Sequence, residues 1–123
     1  MNVLRRALGD QRGASVVEFA LVAPAFLMIL IGGFYLGMAG LAASSLRYAV
    51  EAGARCASVN TTVCSSNSAT QTYAQARYKG TYTPVFTASS ATCGHLVTGT
   101  VTFRLDTGIR RIDIPLTARS CFP

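Results

Sequence analysis

Few residues in this 123-residue chain could do chemistry, and their spacing points away from catalysis. His95 is the single histidine, so a Ser–His or Cys–His arrangement would have to rest on it. It stands in a Cys-Gly-His stretch with the composition of a surface loop. Asp106 and Asp113 fall beside a turn and suit solvent-face roles better than an acid–base pair. No GxSxG, HExxH, phosphate-loop or EF-hand pattern occurs. Cys56, Cys64, Cys93 and Cys121 form the other reactive set. They contain no CxxC pair and lack the spacing of a zinc site, so no metal or cofactor is expected. An even count on one side of an apolar run points to an oxidising compartment and two disulfides. Of the three connectivities, chain order favours Cys56–Cys64, closing a loop at a helix end. Cys93–Cys121 would then clamp both ends of a two-strand unit. Glu18 is the remaining group out of place: it stands directly against a long apolar run, where a carboxylate is costly and ordinarily has a partner. Alone, it reads as the last headgroup residue before a bilayer.

The element that positions Glu18 runs from Gly13 to Leu46. Phe19 to Leu46 is a 28-residue stretch without a charged side chain, whereas about 20 apolar residues cross a hydrocarbon core. No polar stripe recurs at helical spacing, so a single membrane-spanning helix is expected rather than an amphipathic one. Gly32, Gly33, Gly37 and Gly40 lie in its second half; Gly33 and Gly37 have the small-xxx-small spacing that permits close helix approach. Pro24 removes one backbone donor early in the helix.

Net charge is +6, but the basic residues are dispersed, with only the pairs Arg5–Arg6 and Arg110–Arg111 and no interleaved aromatics. A solvated basic surface is expected, not nucleic-acid binding. Residues 1–13 read as a short basic cytoplasmic leader, retained inside by its positive charge.

Beyond the span, LAASSLRYAVEAGARCAS continues at helical composition to about Ser58. Leu46, Ala49, Val50, Ala54 and Ala57 share one face, with Arg47, Glu51 and Arg55 on another at i, i+4 spacing. Residues 60–68 are a polar loop. Ala69 to Lys79 is expected to be a short helix capped by Ser68 and stopped at Gly80. The period then changes. LVTGTVTFRL (96–105) alternates, with Val97, Val101, Phe103 and Leu105 on one face. IRRIDIPLTA (109–118) places Ile112, Ile114 and Leu116 inward and Arg111, Asp113 and Thr117 outward. Asp106-Thr107-Gly108 is expected to join them as a three-residue hairpin. Pro115 marks an edge strand. Tyr82 to Thr87 would add a third strand. The fold class expected is α+β: a long N-terminal transmembrane helix (14–58) continuing into a small disulfide-stapled head (59–123) with a short antiparallel sheet.

The string RGASVVEFALVAPAF resembles the class III prepilin signature of type IV pilins. Phe19 and Pro24 resemble the TadE-like minor pilins of the tight-adherence (Flp) system, whereas tyrosine after the glutamate is commoner in its major pilins. The likeness covers about 12–58: it is specific over 12–38, and the GARCA stretch extends it. The resemblance implies cleavage between Gly13 and Ala14 by a prepilin peptidase, leaving Glu18 as the fifth residue of a chain of charge +4. It further implies a pseudopilin acting in pilus assembly and surface adhesion. Its partners would be other pilin-like subunits, the pilus assembly platform and inner-membrane lipid. The protein would sit in the bacterial inner membrane with its N-terminus cytoplasmic and its head periplasmic, or enter the extracellular pilus. Two other readings remain open: an unprocessed single-span anchored interaction module, and a small secreted disulfide protein cleaved near residue 40. The mature N-terminus separates the three.

Overall fold

The structure, a computed structural model, describes residues 11–123; residues 1–10 of the expected leader lie outside the described residues. Its elements are α1 (Gln11–Val59), α2 (Asn67–Arg77), β1 (Val85–Ala91), β2 (Gly94–Asp106) and β3 (Arg111–Phe122). The chain forms two compact units, one ending at Leu36 and one running from Gly37 to Pro123.

From residue 11 to 36 the first unit is helical, with Pro24 inside the helix. Among the described residues nothing covers its apolar surface: Leu21 is 73% exposed and Leu36 is 76% exposed. A helix that is apolar all round requires lipid or other helices as its surroundings. By length and composition this is a candidate membrane span.

In the second unit, the face of α1 expected to be buried is buried. Leu46, Ala49, Val50 and Ala54 pack with Ala74 of α2 and with Phe86, Val97, Val101 and Ala118 of the sheet. The sheet is antiparallel in the order β1-β2-β3, so β3 is an edge strand and Pro115 is tolerated there. Gly99 sits where helix and sheet come closest. A Cβ there would lie 2.7 Å from Phe86 Cε1 and 2.9 Å from Leu46 Cδ1, so only glycine leaves room for both side chains. Two disulfides, Cys56–Cys64 and Cys93–Cys121, close this head.

Several local expectations are corrected. The second helix is capped by Ser66 rather than Ser68, and ends at Arg77. Ser66 Oγ accepts from the Ala69 amide at 3.2 Å, while a turn set by Asn60, which accepts from the Val63 and Cys64 amides, brings the chain round early. Both serines qualify chemically as caps; the preceding turn and its disulfide select the earlier one. Strand β1 runs Val85–Ala91 instead of 82–87. Tyr82 is withheld from the ladder because its ring packs edge-on against Phe103 at 5.3 Å and its hydroxyl donates to the Arg104 carbonyl.

The β2–β3 loop has four residues, 107–110, because Asp106 pairs directly with Arg111. Asp106 Oδ1 accepts from the Gly108 amide at 2.9 Å, and the Arg110 amide donates to Thr107 Oγ1 at 3.1 Å. Gly108 supplies the positive φ of +78° that this turn requires. Ile112 and Ile114 are on the expected face, opposite Leu105 and Phe103, but they are 42% and 41% exposed. The apolar cover ends before the hairpin does. The Arg47–Glu51–Arg55 ladder does not close into ion pairs. At exposed positions the entropy of holding long side chains offsets so weak an attraction.

Among the described residues one side-chain polar atom is buried without compensation. Tyr78 Oη has no hydrogen-bond partner, and burial pushes its pKa up.

Candidate functional site

Gly13, Ala14 and Glu18 all lie near the start of α1, which begins at Gln11. The whole stretch from Gly13 to Val22 is exposed. Ala14 and Glu18 are four residues apart and therefore on one helix face, about 6 Å along the axis. Apolar side chains surround the carboxylate on the helix surface: Val17, Phe19, Leu21 and Val22. Among the described residues Glu18 makes no ion pair. Gly32, Gly33, Gly37 and Gly40 are uncovered as well, since an added Cβ at each would meet nothing within 4 Å. Chemically this is a packing surface with a single carboxylate, able to pair with a cation brought by another molecule.

The head brings the other sequence-selected residues to separate places. His95 is half-buried in β2, opposite Phe122 and Ser90. Asp113 lies 3.9 Å from Arg104, and Asp106 lies 3.7 Å from Arg111, as exposed cross-strand ion pairs. All four cysteines are in disulfides. Among the described residues no cluster of His, Cys, Asp and Glu could hold a metal ion. Arg77 stacks over the Tyr73 ring at 4.6 Å, so that tyrosine packs. Sequence reasoning missed the exposed end of the β2–β3 hairpin. Ile109 stands in the loop itself and is 98% exposed. An isoleucine beside Gly108 in a turn was the available signal.

A family model described as TadE-like protein matches residues 13–55. This segment is similar to TadE-like proteins. The match begins at Gly13, takes in Glu18 and the whole uncharged run, and ends on the helix that forms the base of the head. The match lies within α1 and does not extend into α2 or the sheet. The long apolar helix is consistent with a single-pass membrane anchor. No curated protein and no solved structure matched the chain.

Proposed function

We propose that this protein is a minor pilin or pseudopilin of a tight-adherence pilus. A prepilin peptidase would cut it between Gly13 and Ala14 at the cytoplasmic face of the inner membrane, and its head would be periplasmic. The observation that carries the reading is the TadE-like segment beginning at Gly13, on a helix whose apolar and glycine surfaces the rest of the chain leaves uncovered. After cleavage, the new amine of Ala14 would lie beside a neighbour's Glu18 in an apolar surround. There each charge offsets part of the other's desolvation, so the pair sets register between subunits. The Gly13–Ala14 bond falls in the first turn of α1, the part of a helix that opens most readily to a peptidase.

Intact mass of the chain recovered from membranes tests this. A chain beginning at Ala14 is expected, and Gly13→Leu should leave it full length. A chain beginning at Met1 would instead identify an unprocessed anchored module, and one beginning near residue 40 a secreted protein.

A further inference from the structure

The hairpin formed by β2 and β3 ends in an apolar surface that the head does not cover. Leu105, Ile112 and Ile114 line one face, and Ile109 projects from the loop with 98% of its surface exposed. The opposite face carries the pairs Arg104–Asp113 and Arg111–Asp106. Among the described residues Arg110, at the tip, has no carboxylate partner, so the hairpin end is amphipathic with one uncompensated positive charge. Its direction within the Gly37–Pro123 unit follows from the packing. Ser58 Oγ donates to the Pro123 carbonyl, Gly53 faces Val97, and Leu46 faces Gly99. As β2 advances toward its hairpin it therefore runs back along α1 toward Gly37. From Gly99 to Asp106 a strand covers roughly 23 Å, and from Leu46 to Gly37 a helix covers about 14 Å. The hairpin is long enough to reach the helix end at which the uncharged run enters the head. Counted from Phe19, about 20 residues suffice for a bilayer core; that count ends at Met38, beside the first half-buried residues of the head's helix. At the opposite end of the head, the 60–68 loop is polar throughout except Val63 and Cys64.

We propose that the β2–β3 hairpin end is a second membrane contact: Ile109, Ile112 and Ile114 enter the interfacial layer of an anionic bilayer, with Arg110 at its phosphates. A hydrophobic patch at the end of the head from which the span emerges meets lipid headgroups and acyl boundary, and burial there removes it from water. The proposal rests on α1 being a membrane span, and is independent of pilus assembly and of cleavage.

The chain contains no tryptophan, so Ile109→Trp gives a single reporter at a site where packing is not disturbed. Val63→Trp, in the exposed polar loop, is its counterpart. Each full-length variant is reconstituted into vesicles of phosphatidylcholine and phosphatidylglycerol, floated on a density gradient, and read by emission and by quenching with lipids brominated on the acyl chain. The expected result is flotation of both, with blue-shifted emission and at least twofold stronger bromolipid quenching for Ile109→Trp. Flotation with equal quenching of the two overturns the hairpin contact and leaves the span intact. Failure to float overturns the span and the hairpin contact together. A blue shift that disappears as protein is diluted into lipid overturns the proposal in favour of a second copy covering the hairpin.

Discussion

Glu18 is a carboxylate among Val17, Phe19, Leu21 and Val22 on an exposed helix, and the cost of dehydrating it sets what its removal should do. If it pairs with a neighbour's amine, Glu18→Ala leaves that amine unpartnered, a penalty of several kcal/mol in an apolar surround. The variant should insert into the membrane normally, yet fail to co-purify with pilus components and show low piliation and surface attachment. Wild-type piliation with Glu18→Ala would reduce the residue to an interfacial carboxylate. Tyr78 presents the converse problem, a buried hydroxyl with no partner. Tyr78→Phe removes an unsatisfied group and should raise stability by about 1 kcal/mol in urea titration. The sign of its pH dependence also follows. Burial raises the pKa above its ordinary 10.0, so the native state keeps a proton that the unfolded state releases. Stability is then fully present below pH ~10 and falls as pH rises above it. That alkaline loss should be smaller in Tyr78→Phe, as followed by Tm between pH 8 and 11.

At the scale of elements, the contact of α1 with the sheet depends on the absence of a side chain at Gly99. Gly99→Val gains strand propensity but sets a Cβ 2.7 Å from Phe86 Cε1 and 2.9 Å from Leu46 Cδ1, so those buried side chains must shift. It should destabilise the head by about 1–3 kcal/mol, measured by chemical denaturation. Alternation in β2 and spacing on α1 were legible in the sequence, because burial there repeats with the period of the backbone. The cap of α2 and the start of β1 were not. Ser66 and Ser68 are equivalent chemically, and Tyr82 has good strand propensity; a turn at Asn60 and a ring contact with Phe103 decided each case.

At the scale of the molecule, a small head depends on its staples, since little apolar area is available to it. The Cys93–Cys121 bridge spans 28 residues and the Cys56–Cys64 bridge spans 8. Chain entropy makes the first worth roughly 3–4 kcal/mol and the second about 2.5 kcal/mol. Replacing Cys93 and Cys121 with alanine should therefore lower the urea midpoint more than replacing Cys56 and Cys64. Equal losses would mean that the short bridge matters through the turn it fixes before α2.

By itself the sequence determined the properties that a local count or period can express. These were the uncharged run, the buried face of α1, the alternation of β2, the edge character of β3, and an even set of cysteines beyond the uncharged run. The tertiary structure decided where cover ends. Ile112 and Ile114 alternate as core residues do, yet remain partly bare because neither α1 nor Tyr82 encloses that end of the sheet. Alternation records which side of a strand a residue faces; whether anything lies on that side depends on packing between distant segments, which no local period encodes.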